Sequence, residues 1–297
     1  MSTKKQFKAA IVGLTRGYPS EQYYDKLINR NNHIYEKFNK NLEEQYPLIL
    51  FHEGNIIPEH QKYIISQSKN DNVTFIDVAD SFKWPEDKVP MSTMQDHGFA
   101  PGYRLMCRFN AYHIWCYTKE YDYIFRIDED TFIGELKHDP FQYMYDNDMD
   151  YLLGRYCEET HDLTNRTLPF KASQLLYPLW KTYDYDQTEL WVPYLNLMIA
   201  STKFFLQEPV QSFLKDITED PRFLTHRWGD HVIQGIILKA FSKPERIDFI
   251  QDFEYMHGSH MCVSRNGQAV EGILSKHEAE VFNLKLSGKQ PEHYVRV

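Results

Sequence analysis

The sequence has few cysteines: four in 297 residues, and no two of them stand in the C-x-x-C spacing that is typical of zinc and redox sites. They are Cys107, Cys116, Cys157 and Cys262. This spacing predicts free thiols in a reducing compartment and no structural zinc. Pairing of two thiols that meet in space stays open at this level.

Long apolar runs are also missing. None approaches the ~20 residues that a membrane-spanning helix needs. The N-terminus, MSTKKQFKAAIVGL, lacks the longer apolar region of a signal peptide and fits a first strand better. The expectation is a cytoplasmic protein without a transmembrane segment.

Basic residues are in deficit, with 33 Lys and Arg against 42 Asp and Glu and a net charge of −9. This balance argues against non-specific binding to nucleic acid and against a polybasic membrane surface. The chain contains no GxxxxGK[ST] motif, which counts against the P-loop class of nucleotide enzymes. A site for an anionic substrate would therefore need local Arg, Lys or a metal ion.

The composition that remains is globular, with 42% hydrophobic residues and 15% aromatic residues. Apolar strand-like runs at 7–14, 46–51 and 73–78 alternate with helical patterns, which predicts a mostly parallel sheet and a nucleotide-binding half. We expect an α/β fold, a single Rossmann-like domain over 1–297 with a mixed central sheet. Its nucleotide-binding half would be about 1–134 and its acceptor-side half about 135–297.

Helices are predicted over about 20–44, 103–116 and 202–216, where apolar residues recur at helical spacing. The segment after residue 162 reads as rich in loops. Its aromatic residues suit the stacking of sugar rings but equally suit a core, and they are Trp180, Tyr183, Tyr185 and Trp191.

The chain is organised around 121–134, YDYIFRIDEDTFIG. An aromatic and β-branched strand runs directly into Asp128, Glu129 and Asp130. Adjacent carboxylates repel each other and are costly to desolvate, and a hard divalent cation such as Mg²⁺ or Mn²⁺ relieves both problems. In a strand, Asp128 and Asp130 would point to the same side. The alternative is an acidic turn that caps the next element.

Other polar groups could complete such a site. Arg104 and Arg108 lie four apart on a helix just before the acidic strand, as counter-charge or as a solvated stripe. A second pair of acids, Glu158 and Glu159, ends a later strand. The 227–230 segment, RWGD, opens a helix, and His257 ends a late strand. A lone histidine is usually not a ligand.

Together, four segments resemble glycosyltransferase family 15, the fungal α-1,2-mannosyltransferases of the Golgi. Residues 103–109, YRLMCRF, resemble its YRxMCRF, and 121–130 resemble its YDYxWRVEPD, with Asp128 at the family's Glu. Residues 227–230 match its RWGD, and 255–257 resemble its GYYH. The segments occur in the family's order over most of the chain.

The resemblance implies a GT-A fold, a GDP-mannose donor, a saccharide or glycan acceptor, retention of anomeric configuration, and Mn²⁺ with Mg²⁺ as the alternative. It implies metal ligands at Asp128 and His257, with Asp130 in the same donor site and Asp230 near the sugar. The residues it places around the donor are Arg16, Tyr103, Arg104, Arg108, Asp130, Arg227 and Trp228.

Two departures from the family pattern matter. The family's NFEI, whose Glu is a candidate nucleophile, aligns with Asn196-Leu197-Met198-Ile199, so Met198 stands where a carboxylate is expected. Either another carboxylate serves as the catalytic residue, with Glu158, Glu159 and Asp230 as candidates, or attack occurs on the donor's own face without a covalent enzyme intermediate, or activity is lost or altered. Family members also carry an N-terminal membrane anchor, and this sequence shows none. The main hypothesis is a metal-dependent retaining hexosyltransferase. The alternatives are a nucleotide-sugar-binding protein without transfer activity, and a nucleotidyl- or phosphotransferase built on another Asp-x-Asp site.

Overall fold

A computed structural model describes residues 6–95, 98–134, 136–177, 191–251 and 253–257, and the backbone of 262–265 and 268–269. The strands are β1 Ala9–Thr15, β2 Leu48–His52, β3 Val73–Asp77, β4 Tyr123–Ile127, β5 Thr131–Ile133, β6 Tyr151–Leu153, β7 Tyr156–Glu158, β8 Trp191–Pro193, β9 Leu197–Ser201, β10 Ile247–Phe249, β11 Glu254–His257, β12 Cys262–Arg265 and β13 Gln268–Ala269.

The helices alternate with these strands through most of the chain. They are α1 Asp25–Lys37, α2 Pro58–Gln67, α3 Pro101–Arg108, α4 Ile114–Tyr117, α5 Pro140–Asp146, α6 Asp162–Leu176, α7 Thr202–Phe205, α8 Glu208–Glu219, α9 Pro221–Thr225 and α10 Asp230–Phe241. A π-helical turn, Phe109–His113, joins α3 to α4.

The central sheet has seven strands in the order β10-β6-β9-β4-β1-β2-β3. β1, β2, β3 and β4 run parallel, and β9 runs antiparallel between β4 and β6. The predicted β-α-β-α-β start and the predicted mixed sheet are therefore confirmed. Because the chain leaves β1 toward β2 on one side and later returns to β4 on the other, the order reverses between β1 and β4. In open α/β sheets ligands bind at such a point, outside the carboxyl ends of the strands.

Each face of the sheet carries its own apolar layer, because alternate residues of a strand point to opposite faces. On β1, Ala10 and Val12 join a core with α6, α8 and α10, whereas Ala9 and Ile11 join a core with α1, α2 and α5. Burial on both faces explains why the central strands are apolar along their whole length.

A second, four-stranded sheet in the order β13-β12-β11-β5 lies beside the carboxyl end of β4. β5 begins only four residues after β4 ends, and it pairs antiparallel with β11. Gly154, just after β6, leaves room for β11, because a Cβ at that position would lie 2.5 Å from the ring of Tyr255 on β11. The late strand β11 is thus held against the end of the acidic strand.

The prediction of a loop-rich segment after residue 162 is wrong in part, because 162–176 forms helix α6 in spite of Pro169 within it. Leu168, Ala172 and Leu176 recur four residues apart and are buried against α8 and α10. Tertiary burial of that face outweighs the weak local signal. Trp180, Tyr183 and Tyr185 lie outside the described residues.

Two predicted helices differ from expectation, one in where it ends and one in its continuity. α1 ends at Lys37, not near residue 44, because the Asn39 side chain hydrogen-bonds both the amide and the carbonyl of Tyr46. The helix predicted over 202–216 is divided into α7 and α8, and Pro209 stands in the first turn of α8, where a new helix starts readily.

Within the described part of the chain, no helix combines the length and the apolar character that crossing a bilayer requires. Cys107 and Cys116 are free thiols, as predicted; the side chain of Cys262 lies outside the described residues.

Candidate active site

The three consecutive acids lie in a tight turn between β4 and β5. The amide of Asp128 donates to the carbonyl of Asn196 (2.9 Å), and the amide of Thr131 donates to the carbonyl of Asp128 (3.1 Å). β4 therefore ends at Ile127, and the expectation that Asp128 and Asp130 share one side of a strand is wrong. Adjacent carboxylates favour such a turn because it directs them to separate partners.

Asp130 faces the late strand. Its Oδ1 lies 3.1 Å from Nε2 of His257, and its Oδ2 lies 3.8 Å from Nζ of Lys26. The β5–β11 pairing produces this contact, because it sets His257 directly opposite Thr131. Burial opposes ionisation of Asp130, but the hydrogen bond and charge of His257 outweigh it and lower the pKa of Asp130.

Asp128 pairs with a buried arginine. Nη2 of Arg126 donates to Oδ1 of Asp128 (2.8 Å), and Nη1 lies 3.5 Å from Oδ2 of Asp230 at the start of α10. Nη1 also donates to the carbonyl of Leu195. Arg126 thus connects the acidic turn to the helix that opens with RWGD. Burial opposes ionisation of Asp230, but His231 and Arg126 outweigh it and lower the pKa of Asp230.

Glu159 forms a second, nearly buried ionic group near the start of α10. Its Oε2 lies 2.9 Å from Nε2 of His231 and 3.4 Å from Nη1 of Arg227, and its Oε1 accepts from the amide of His161 (2.7 Å). Burial opposes ionisation, yet these partners lower the pKa of Glu159 to about 2. Burial likewise opposes protonation of His231, but Asp230 and Glu159 raise its pKa.

Among the described residues, no three His, Cys, Asp or Glu side chains converge in an arrangement that could hold a metal ion by themselves. Two do fit the edge of a coordination shell: ligands about 2.1 Å from an octahedral cation lie about 3 Å apart, as Asp130 and His257 do at 3.1 Å. A hard cation bound with a nucleotide commonly takes one or two carboxylates and completes its shell with phosphate oxygens. The residues therefore fit a nucleotide-bound Mn²⁺ or Mg²⁺.

Three predicted donor-binding residues, Arg16, Tyr103 and Arg227, lie near these ionic groups. Arg16 is exposed at the carboxyl end of β1, 5.3 Å from the centroid of the Tyr18 ring. Arg227 lies over the ring of Phe99 at 4.3 Å, and its Nη2 is 3.5 Å from the hydroxyl of Tyr103. Arg227 has a positive φ of 57°, a strained conformation that is found disproportionately at functional sites.

Other predicted residues serve the scaffold. Buried Arg104 donates to the carbonyls of Leu224 and Phe99, and Arg108 donates to the carbonyls of Ser81 and Lys83. These guanidinium groups fix neighbouring loops, so the donor-binding role predicted for both is not part of the site that we propose.

Trp228 and Glu158 are also outside it. Trp228 is 1% exposed and donates its indole N–H to Thr167 at 2.9 Å, so it belongs to the core. Glu158 ends β7 with its side chain exposed, whereas Glu159 beside it is buried. The alternation of the strand separates the two acids, and only Glu159 joins the ionic network.

Sequence reasoning missed Arg126, His231 and Arg30. A signal for Arg126 was present: an arginine inside an apolar strand requires acidic partners, and Asp128 follows two residues later. His231 follows Asp230 directly in the RWGD-H segment. Arg30 on α1 is 0% exposed, and no local pattern distinguishes it from the other polar residues of that helix.

Comparisons with known proteins agree with this fold. The mannosyltransferase Ktr4p from S. cerevisiae superposes with a TM-score of 0.75 at 21% identity, covering 94% of this chain and 80% of that one. Core-mannan synthase A from Aspergillus fumigatus, solved in an Mn/GDP form, superposes with a TM-score of 0.72 at 19% identity, covering 92% and 82%. The predicted GT-A-type fold is thereby confirmed.

The chain also matches a curated relative, O-glycoside alpha-1,2-mannosyltransferase homolog 3 of Schizosaccharomyces pombe, at 24% identity over 181 residues. That match covers 54% of this chain and 47% of the relative, so the chain spans about half the length of the relative it matches. The model of the glycolipid 2-alpha-mannosyltransferase family matches residues 1–273. The chain therefore belongs to that family.

Proposed function

We propose that this chain is a metal-dependent retaining glycosyltransferase that moves mannose from GDP-mannose to a saccharide or glycan acceptor. The observation that carries the proposal is the 3.1 Å contact between Asp130 and His257, beside Asp128 at the carboxyl end of β4. Family membership and the GDP- and Mn-bound forms of the solved neighbours support the choice of donor and metal.

Asp130 and His257 would hold the metal, and Asp128, bonded to Arg126 in the same turn, would lie beside it. Bound there with the nucleotide, the cation would neutralise charge on the departing diphosphate as a Lewis acid. An imidazole with carboxylates suits Mn²⁺ better than Mg²⁺, which prefers oxygen ligands throughout. Exposed Arg16, at the neighbouring strand end, would contribute further positive charge toward the diphosphate.

Arg126 would position the carboxylates of Asp128 and Asp230. It holds Asp128 and Asp230 in one arrangement through its two terminal nitrogens. The lowered pKa of Asp230 keeps that carboxylate ionised, which suits electrostatic stabilisation of an oxocarbenium-like sugar rather than proton donation. Asp230 is therefore the carboxylate that we assign to the reacting sugar.

Glu159 would orient rather than react. A group whose pKa is about 2 is a weak base at neutral pH, because efficient proton transfer needs a pKa near the working pH. Its two oxygens are engaged by His231, Arg227 and the amide of His161. We assign it to holding Arg227 in its strained conformation over Phe99 and Tyr103.

Asn196 supplies an uncommitted polar group beside the metal ligands. Its side chain is 4% exposed, and neither its amide nitrogen nor its amide oxygen has a hydrogen-bond partner among the described residues. Its backbone carbonyl accepts from the amide of Asp128. A buried amide without partners is costly, and the hydroxyl groups of a bound sugar would satisfy it.

The test is transfer itself. The chain is incubated with GDP-mannose, Mn²⁺ and a panel of mannosides, and products are identified by mass spectrometry and the anomeric configuration by NMR. We expect an α-mannoside and GDP in equal amounts, and a loss of at least ~100-fold in Asp128→Asn. Asp80→Asn, an exposed acid paired with Lys83, is the matched control. Wild-type transfer by Asp128→Asn would refute the proposal.

One observation favours a second function, nucleotide-sugar binding without transfer. Met198 is 0% exposed on β9, between β4 and β6, and its thioether has no carboxylate oxygen with which to form a glycosyl ester. Calorimetric binding of GDP with Mn²⁺, combined with no sugar release from GDP-mannose over long incubation, would favour this function over the first.

A further inference from the structure

Glu129, the middle acid of the turn, is bound to the end of the neighbouring strand. The hydroxyl of Thr15, the last residue of β1, donates to its Oε2 (2.9 Å), and the hydroxyl of Tyr18 donates to its Oε1 (2.9 Å). Glu129 stands where the EPD pattern given above has proline, so no counterpart of this carboxylate exists in that motif. It lies at the reversal point between β1 and β4.

Beneath Glu129 lies a buried cation without hydrogen bonds. Arg30 is 0% exposed, and none of its three guanidinium nitrogens has a partner among the described residues. A Cβ on Gly13 would lie 2.8 Å from Nη2 of Arg30 and 3.3 Å from the carbonyl oxygen of Ile127, so the guanidinium lies against the ends of β1 and β4. Burial lowers the pKa of Arg30 to about 10, and among the acids that oppose this shift Glu129 has the largest effect.

This arrangement leaves the carboxylate with unused capacity. An ionised carboxylate can accept about four hydrogen bonds, and Thr15 and Tyr18 supply two. The buried guanidinium of Arg30 offsets the negative charge of Glu129. A ligand that brings further electron-rich oxygen atoms to this carboxylate is therefore favoured. In dinucleotide-binding α/β folds, an acidic side chain near the strand ends accepts hydrogen bonds from ribose hydroxyls. The chemistry of a vicinal diol fits the two free acceptor positions.

We propose that Glu129 binds the ribose of the nucleotide donor through its 2′- and 3′-hydroxyls and so makes the site selective for ribonucleotides. This inference rests on the proposed function for the presence of a nucleotide, but not on transfer. Thr15 and Tyr18 act as positioning residues that hold the carboxylate in place. Arg30 acts as its fixed counter-charge.

The test measures binding of GDP, 2′-deoxy-GDP and 2′,3′-dideoxy-GDP by calorimetry with Mn²⁺ present. For the wild-type chain we expect at least ~10-fold weaker binding of 2′-deoxy-GDP and a larger loss for the dideoxy compound, since each lost hydrogen bond to a charged group weakens binding about 10-fold or more. In Glu129→Gln the preference should shrink to about 2-fold. Glu53→Gln, a neighbouring acid near Arg16, should keep the full preference.

The outcomes separate this inference from the proposed function. Equal binding of the three nucleotides by the wild-type chain would overturn it without any variant, and so would an unchanged preference in Glu129→Gln. Ribose-dependent binding without mannosyl transfer would support the inference while refuting the transferase. Failure of every nucleoside diphosphate to bind would refute both.

Discussion

The candidate site contains two groups of carboxylates that are held in different ways. In the turn after β4, Asp128 and Asp130 have side chains that are 36% and 22% exposed, and each is paired with cations from a different element. On the other side, Glu159 and Asp230 are 5% and 7% exposed and share His231 between them. Exposed, separately paired acids can exchange their partners for a ligand, whereas buried acids in a shared network cannot without a large cost.

This difference assigns the roles. The turn suits an ion that arrives and leaves with the nucleotide, because releasing Lys26 from Asp130 costs little at a partly exposed site. The Glu159 group suits a permanent arrangement that fixes Arg227 and the start of α10. Arg126 is the one described residue that contacts both groups, through Asp128 and Asp230.

The largest expected effect concerns Arg126, which contacts both groups of carboxylates. Met198 pairs with Arg126 across β9 and β4, while Ile199 pairs with Phe125 and faces the other core. Ile199→Glu should lower the free energy of unfolding by about 4 kcal/mol or more, because its carboxylate is buried without a partner. Met198→Glu should lower the free energy of unfolding by at least ~1 kcal/mol less than Ile199→Glu does, because the guanidinium of Arg126 lies across from the new carboxylate and attracts it.

Urea denaturation of the two variants measures that difference, with Met198→Gln as a size-matched control that isolates the charge. Equal destabilisation by the two glutamates would mean that Arg126 does not share its charge with position 198. The link between the two carboxylate groups would then be purely steric.

The next effect tests the exposed group alone. His257→Ala should weaken Mn²⁺ affinity in the presence of GDP by ~10–100-fold, because one of two contacting ligands is lost. His138→Ala, an exposed histidine after β5, is the control and should bind as the wild type does. Electron paramagnetic resonance of bound Mn²⁺ gives both affinities. Unchanged affinity in His257→Ala would show that the 3.1 Å contact with Asp130 is an ion pair and not half of a metal site.

The buried group should respond through stability and pH. Glu159→Gln removes the anion between His231 and Arg227 and should lower the free energy of unfolding by on the order of 2 kcal/mol at pH 6. The pKa of Glu159 falls from 4.5 to about 2 on folding, so its contribution is present above pH 4.5 and is lost as pH falls toward 2. The pKa of His231 is raised above 6.5, so its contribution is complete below pH 6.5 and is lost as pH rises through the folded value.

Stability of the wild-type chain should therefore exceed that of Glu159→Gln most between about pH 4.5 and 6.5. Denaturation at a series of pH values from 3 to 9 measures the difference. Glu158→Gln, the exposed neighbour, should change stability by less than about 0.5 kcal/mol at any pH. A difference that does not vary with pH would contradict the ionic account.

The two groups were unequally visible in the sequence. Three consecutive acids after an apolar strand mark the position of the site, although the strand conformation expected for Asp128 and Asp130 is wrong. The strand order that places the acids beside β1 follows from alternating β and α patterns. The contact of Asp130 with His257 could not be derived, because it depends on β5 and β11 pairing across more than a hundred residues. Only the resemblance to a family placed these two residues together.

The buried group was harder to predict for a physical reason. Glu158 and Glu159 are equivalent by composition, and the phase of one short strand decides which of them is buried. Arg104, Arg108 and Trp228 belong to segments that resemble the family, yet their polar atoms bond the scaffold. A shared motif therefore does not separate side chains that contact a ligand from those that hold the loops around it.

The smallest expected effect sharpens the claim that the exposed group exchanges its partners. Lys26 lies 3.8 Å from Asp130, with a third of its side chain exposed, and it should compete with a cation for that carboxylate. Lys26→Gln should therefore tighten Mn²⁺ binding without nucleotide by ~2-fold at 0.05 M salt, and the gain should vanish near 1 M salt, where screening is nearly complete. Lys83→Gln, which removes a cation paired with exposed Asp80, should leave the affinity unchanged. Weaker Mn²⁺ binding by Lys26→Gln would mean that Lys26 supports the acidic turn instead of competing for it, and the two carboxylate groups would then be equally fixed.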